Sequence, residues 1–452
     1  MTKVDCIIHN GTVLTINSQM EVFDKGVVVI DKGEILAVGD GSLLSDYDTD
    51  KKIDAQRGIV MPGMVNTHCH LPMIAFRGLG EEGIQDRLMG YFMPLEKELL
   101  CRELIYDATL IGTMDMALSG ITTYADMYYH VDEMARATAK VGLRALLGQT
   151  VIGFPVVDAK EPYGGLAYAR NIRGQFDKYS RVALALAPHA AYTLSADRLR
   201  EVRAMSDELD IPIHIHIDEF ETEKSKIVDN AKSLSVVRYL EDIGFLADNM
   251  ILAHCNHVDD EDLKVIKEKG CGIAHNPMAN SKGATGTAPI MEAIEKGIPV
   301  GLGTDGPMGS NVIDLFKVMT YACTVQRMRK MDRTLMTPDQ VVHLATMGGA
   351  KVLGLQDQIG SLEKGKQADI VIVETQSLNM LPCHDPYAAL VFQANPHNVR
   401  TTMVDGQVIM ENRVLLTANM EEAKKGLEKW MPKIQALAKN LAIKAKNNSA
   451  AI

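Results

Sequence analysis

At 452 residues the chain exceeds the roughly 250 of a plain (β/α)8 barrel, which points to one large domain with a smaller one attached, or to two of similar size. Hydrophobic residues at 46% and charged residues at 23% are ordinary for a globular protein and exclude a mainly disordered chain. Lys and Arg number 47 against 58 Asp and Glu, a net charge of −11 with no basic tract, which argues against nucleic acid or anionic lipid as a partner.

The first residues, Met1-Thr2-Lys3-Val4-Asp5, are charged at once with no apolar run behind them, so no secretory signal is expected. The first sixty residues read as short strands: Cys6-Ile7-Ile8, Gly11–Ile16, Gly26–Ile30 and Glu34–Val38, separated by Asn-Gly, Lys-Gly and Gly-Asp-Gly turns. The middle has another rhythm. Eight apolar runs recur at Ile59–Met61, Thr122–Ala125, Ala145–Gly148, Val182–Leu186, Ile213–Ile217, Met250–Ala253, Cys271–Ala274 and Val300–Gly303. Helical patterns lie between them, as at Ala196–Leu209, Ser233–Ile243, Asp260–Lys269 and Met291–Lys296, which is the texture of βα units around a parallel sheet. The β texture then returns at Ala368–Val373 and Val399–Met410, where Asp405-Gly406 is a strong hairpin signal. Two β-rich ends around a βα middle predict that the ends pair into one small β domain. The boundaries drawn are residues 1–58 with 359–419 for that domain, 59–358 for the barrel, and 420–452 for a C-terminal helix that frays from Asn447.

Seven scattered cysteines without a C-x-x-C pair exclude a disulfide framework and a zinc site built from four cysteines. No stretch approaches the roughly 18 uncharged apolar residues of a membrane span, so a reducing cytoplasm is the expected home. The 26 methionines are read as flexible core filling.

Metal-competent residues stand where the apolar runs end. The first run leads to His68-Cys69-His70, and residues i and i+2 of a strand share a side, so both histidines can share one metal. The fourth ends Pro188-His189, the fifth His214-Ile215-His216-Ile217-Asp218-Glu219, the sixth Ala253-His254, the seventh His275-Asn276-Pro277 and the eighth Gly303-Thr304-Asp305. Strand C-termini of a barrel converge on one face. Any one of these residues alone reads as a hydrogen-bonded core or loop group; so many ionisable groups at strand ends are costly to bury unless a metal compensates. His9, His130, His257, His343, His384 and His397 fall outside this pattern and read as structural or surface residues. Cys69 and Cys255 stand beside metal candidates but read as packing.

Pro62-Gly63-Met64-Val65-Asn66-Thr67-His68-Cys69-His70, Gly120-Ile121-Thr122-Thr123, His216-x-x-Glu219, Ala253-His254-Cys255, His275-Asn276-Pro277, Gly303-Thr304-Asp305-Gly306 and Ile359–Asp369 together resemble the amidohydrolase superfamily. Arg77-Gly78, Pro94-Leu95-Glu96, Phe154-Pro155, Pro188-His189 and His216-x-x-Glu219 resemble its cytosine-deaminase-like branch, most of all the 5′-methylthioadenosine/S-adenosylhomocysteine deaminases. The resemblance implies a (β/α)8 barrel with a β-sandwich from both chain ends. It also implies one divalent ion per chain, Zn2+ or another such as Fe2+, on His68, His70, His216 and Asp305. No Lys ends the fourth run to bridge two metals; His189 stands there, so a mononuclear site is expected.

Such an ion lowers the pKa of a bound water. Asp305 then accepts the water's proton, His254 holds the nucleophile in line, and Glu219 shuttles a proton to a ring nitrogen and to the departing amine. His189 and Glu96, with Glu219 and Asp305, bind substrate, Glu96 accepting hydrogen bonds from ribose hydroxyls. The implied reaction is hydrolytic deamination of an adenosine-type nucleoside, with a small molecule as the only partner besides further copies of the chain, most simply in a C2 homodimer. Three departures stand out. Arg87 and Met93 replace tryptophans common in that group, and Met278-Ala279 replaces Ser-Asn. The alternatives are hydrolysis of a non-ribosylated heterocycle (an s-triazine, a pterin or a guanine-type base) and a non-catalytic barrel scaffold. Glu96 separates the first, since a ribose-binding carboxylate is idle on a bare ring. The complete ligand set with Glu219 argues against the second.

Overall fold

The computed structural model describes residues 1–81, 84, 87–227 and 235–449, with side chains to residue 444. Eight parallel strands close into a barrel: β1 (Met64–Cys69), β2 (Ile121–Tyr128), β3 (Arg144–Val151), β4 (Val182–Pro188), β5 (Ile213–Ile217), β6 (Met250–His254), β7 (Gly272–His275) and β8 (Val300–Leu302). Each pairs with the next, and Leu302 of β8 pairs with Asn66 of β1 to shut the ring. Strands buried on both faces need no alternation of polar and apolar residues, which is why they read as continuous apolar runs.

Seven of the eight apolar runs are barrel strands. The run at Ile59–Met61 is not. Residues Ile59–Pro62 lie in the sheet built from the chain ends, antiparallel to Ile370–Val373 and parallel to Cys6–Leu14. The chain then enters β1 after a single residue, Gly63, where a Cβ would sit 2.1 Å from Thr122 Oγ1. A one-residue crossing leaves no loop signal, so two strands of different sheets read as one motif.

The end sheet has nine strands. Their order runs from Val414–Leu415 through Gln407–Glu411, Val399–Val404, Ile370–Val373, Ile59–Pro62, Cys6–Leu14 and Val22–Asp31 to Glu34–Gly39, with Lys52–Asp54 beside Cys6–Leu14. It closes over a core of its own, with Ile35 from one edge and Met403 from the other half in the same cluster. Asp405-Gly406 forms the expected hairpin turn, both residues left-handed at φ 46° and 73°, and Val404 pairs with Gln407. The helix expected at 420–452 is two helices, Met420–Glu428 and Met431–Ser449, because Pro432 lacks the N–H needed to continue the first. Residues 450–452, and Ser233-Leu234 of the expected Ser233–Ile243 helix, lie outside the described residues; the helix observed there is Val236–Asp242. Among the described residues no helix is long and apolar enough to cross a membrane.

Sheet and barrel are locked by buried charge. At the start of β3, Arg144 (7% exposed) donates to both oxygens of Asp369 (3% exposed) at 3.3 Å and to Asp405 Oδ1. Arg181 Nε donates to Asp405 Oδ2 at 2.6 Å. Burial pushes the Asp369 carboxyl above its usual range, and Arg144 pulls it back. Removing one member of such a network strands the others. Arg144→Met should therefore cost about 3–5 kcal/mol in denaturant unfolding; a loss under about 1 kcal/mol would show that the network does not hold the two parts together.

Candidate active site

The C-terminal ends of the barrel strands surround a cavity of about 430 Å³ whose walls include His70, Glu96, His189, His216, Glu219, His254 and Asp305. The imidazoles are oriented by hydrogen bonds on their far nitrogens. His70 Nδ1 lies 2.8 Å from the Met127 carbonyl, and His216 Nδ1 lies 2.8 Å from the His189 carbonyl. A carbonyl only accepts, so each Nδ1 carries a hydrogen and each Nε2 is turned toward the other ring. Those two Nε2 atoms are 3.2 Å apart. His70 Nε2 is 3.5 Å from Asp305 Oδ1, and His68 Nε2 is 3.6 Å from the same oxygen. His68 Nε2 is buried without a hydrogen-bond partner among the described residues.

Burial holds His68 and His216 well below the usual imidazole pKa, so both are neutral. Imidazole nitrogens and a carboxylate oxygen converging at 3.2–3.6 Å are a costly arrangement to bury unless a cation lies between them. Three imidazole nitrogens and one carboxylate are also a donor set suited to a divalent ion. The site fits a divalent metal.

Glu219, His254 and Asp305 form an adjoining group, their ligand-type atoms within 4.8 Å of one another. His254 Nδ1 lies 2.8 Å from Asn280 Oδ1, which turns Nε2 toward the cavity, 3.9 Å from Glu219 Oε2. Burial, then the nearby Asp305 and Glu223, push the Glu219 carboxyl well above its usual range. Asp218, His254, Cys255 and Asp305, at or just past strand ends, are left-handed with φ between 46° and 76°. Such backbone costs on the order of 1–3 kcal/mol per residue and persists only where the surroundings enforce it.

Glu96 lies within a helix. Helical structure is already running at Arg87, through a π-helical turn at Leu88–Phe92 into Met93–Leu99, and Glu96 is 5% exposed on its inner side. Tyr128, the last residue of β2, donates its hydroxyl to Glu96 Oε1. Burial pushes the Glu96 carboxyl up to about 7, with the Tyr128 bond holding it back. Arg87 and Met93 also line the cavity, as does Ala279, whereas Met278 is packed into the core.

The profile of the Amidohydrolase family matches residues 59–409. The chain belongs to the amidohydrolase family. It is 35% identical over 424 residues to a 5-methylthioadenosine/S-adenosylhomocysteine deaminase of Syntrophus aciditrophicus, covering 93% of this chain and 96% of that relative. It is 33% identical to a 5′-deoxyadenosine deaminase of Methanobrevibacter smithii, covering 97% of this chain and all of the other. In three dimensions it matches a zinc-bound adenosine deaminase of Xanthomonas campestris with a TM-score of 0.93 and 27% identity, over 96% of this chain and 99% of that one.

This amidohydrolase gathers His68, His70, Glu96, His189, His216, Glu219, His254 and Asp305 at and around one cavity. It also uses residues to which the sequence reading gave no role. His214 Nε2 sits 2.9 Å from His68 Nδ1 and orients that ring; it shares strand phase with His216, a signal present in Ile-His-Ile-His-Ile. Asp126, buried in β2, accepts from Leu71 N at 2.6 Å and Cys69 Sγ at 3.1 Å, fixing the turn after His70. Tyr128, two residues on, shares its side. Asn280 aims His254, and only three-dimensional proximity reveals it. Cys69 and Cys255 are buried packing residues, as expected.

Bound metal stabilises the fold that holds it. Protein stripped by a chelator should melt at a lower temperature and recover on adding Zn2+, by about 2.7 kcal/mol at a hundredfold excess over Kd. A melting temperature indifferent to both treatments would mean that the converging groups hold no ion.

Proposed function

We propose that this amidohydrolase is a metal-dependent deaminase of adenosine-type nucleosides such as 5′-methylthioadenosine, S-adenosylhomocysteine, 5′-deoxyadenosine or adenosine, releasing ammonia and the inosine analogue. The observation that carries the substrate class is Glu96: a buried carboxylate, held by Tyr128, facing the same cavity as the histidine cluster. The names of the relatives support the same class.

His68, His70, His216 and Asp305 would hold one divalent ion, Zn2+ or Fe2+. That ion supplies Lewis acidity and a water of lowered pKa. Asp305 takes a proton from the attacking water on its carboxylate, and His254 Nε2 orients that water toward the purine C6. Glu219, whose carboxyl burial pushes above its usual range, gives a proton to the ring nitrogen, takes up the remaining proton of the attacking oxygen and passes it to the departing amine; the proton held by Asp305 then restores Glu219. His189 lines the pocket beside His216 and contacts the substrate. Glu96 accepts from the ribose diol. We further propose a C2 homodimer working in the cytoplasm, which sedimentation of the purified protein tests: a monomer at micromolar concentration contradicts it.

Ammonia release across nucleosides, bare purines, pterins and triazines tests the substrate class. Equal rates on ribosylated and bare rings would overturn it. Glu219→Gln should keep its metal and lose turnover by roughly two to four orders of magnitude, since an amide cannot pass on a proton; full activity in this variant removes Glu219 from its role.

Glu96→Ala should depress kcat/KM on ribonucleosides roughly a hundredfold, the scale of losing charge-assisted hydrogen bonds. The pH dependence has a definite sign. Only the ionised Glu96 accepts two donors, and its pKa is raised to about 7, so KM for ribonucleosides should fall as pH rises through that value. Glu96→Gln should lack this step. A wild-type KM flat from pH 6 to 8 would dissociate Glu96 from the ribose.

A further inference from the structure

Glu223 opens a short helical turn, Glu223–Lys226, and is 1% exposed. Its carboxylate accepts three consecutive backbone N–H groups: Oε2 from Asp218 at 3.1 Å, and Oε1 from Glu219 at 2.8 Å and Phe220 at 3.2 Å. These N–H groups follow the end of β5, and the left-handed Asp218 turns the chain away from the sheet. Buried N–H groups need an acceptor. On the other side of the same loop, Asn256 Nδ2 donates to the Glu219 carbonyl at 3.0 Å, and Asn256 N donates to the Asp218 carbonyl at 3.0 Å. The peptide carrying Glu219 is therefore gripped from both sides. The Glu219 carboxylate itself stands 3.9 Å from His254 Nε2, beyond hydrogen-bond reach, so its position depends on its backbone.

A carboxylate serving its own helix would bond N–H groups at the start of that helix. All three donors here precede it. We infer that Glu223 is the positioning residue for Glu219: it fixes the backbone from which the proton-carrying carboxylate projects, without touching substrate. The inference rests on Glu219 being that proton carrier. Proton transfer is sensitive to placement, and a displacement of about 1 Å can cost on the order of a hundredfold in rate.

Two variants test it. Glu223→Ala removes all three acceptors. Glu223→Gln keeps one oxygen for Glu219 and Phe220 but turns an amide NH2 toward the Asp218 N–H. Amide hydrogen exchange across residues 218–220 should accelerate about tenfold or more in Glu223→Ala and less in Glu223→Gln. Bound metal should stay at the wild-type level. On a 6-aminopurine ribonucleoside, kcat should fall about ten- to hundredfold in Glu223→Ala with KM within about twofold, and Glu223→Gln should recover most of it.

A 6-chloropurine ribonucleoside adds a readout that general damage would not move. Its hydrolysis forms C–O from water and breaks C–Cl; chloride leaves with the electron pair and needs no proton, so one proton of the water is balanced on the ring nitrogen and the other passes to solvent. Its rate should fall less than that of the amine. Unchanged exchange at 218–220 in Glu223→Ala would overturn the inference. So would joint loss of kcat, KM and metal, or equal slowing of both leaving groups. If the wild type turns over neither nucleoside, the functional reading fails, while the exchange measurement still decides whether Glu223 holds the loop.

Discussion

Imidazole nitrogens directed at one another across 3.2 Å, with a carboxylate beside them, form the interaction on which the rest of this structure depends. Such a cluster does not assemble unaided: desolvation and mutual repulsion oppose it, and only a cation at its centre reverses the sign. The fold resists the repulsion with fixed acceptors behind the rings. Met127 and His189 supply carbonyls, and His214 supplies a second imidazole. These acceptors belong to β2, the end of β4 and β5, so the orientation of each ring is a property of the barrel rather than of a loop. The left-handed residues at or past the ends of β5, β6 and β8 are part of the same cost.

The cavity divides its labour by element. Groups that must not move, the clustered histidines, sit on strands or, as His70 does, one residue past a strand end. Groups that meet different faces of a ligand sit on insertions between them. Glu96 comes from the helical excursion after β1 and Glu219 from the turn after β5. Each insertion is then tied back to the barrel: Glu96 by the Tyr128 hydroxyl, Glu219 through Asn256 beyond β6. Strands give precision at the reacting centre, and the insertions shape the pocket around it. That is why a barrel of this kind can serve different small molecules by changing its loops. Arg87 and Met93 come from the same insertion as Glu96 and line the same cavity.

The legible part of the sequence was the part governed by strand phase. His68 and His70, two apart in a buried strand, announce a shared side, and the recurrence of His or Asp at apolar run ends announces a barrel face. The hairpin at Asp405-Gly406 was equally plain, because only a few residues tolerate two successive positive φ values. What stayed hidden depends on contacts between residues far apart in the chain. Asn280 serves His254 across 26 positions, and Tyr128 serves Glu96 across 32. Neither pairing leaves a local pattern. The burial of Glu96 is equally hidden: it lies in a helical segment that begins before it, with a π-helical turn at Leu88–Phe92. Glu223 belongs to no motif in the sequence, though it is almost fully buried.

The strand assigned to the wrong sheet explains what the end sheet does for the active site. Ile59–Pro62 is held on one side by Ile370–Val373 and on the other by Cys6–Leu14, so its register has no freedom. Only Gly63 separates it from β1. Gly63 N donates to the Asp369 carbonyl at 2.9 Å, and its bare Cα lies flat against Thr122 of β2. Any side chain there would push the two strands apart. His68 follows five residues later. A slip of one residue in a strand turns every side chain to the opposite face, and here it would swing His68 and His70 out of the cavity and Cys69 into it. The sheet thus sets the phase of the strand that carries two of the clustered histidines. Asp369 joins both halves of this device: its carbonyl fixes Gly63, and its carboxylate takes the Arg144 guanidinium at the foot of β3. A β domain remote from the chemistry is in this way a structural condition for it.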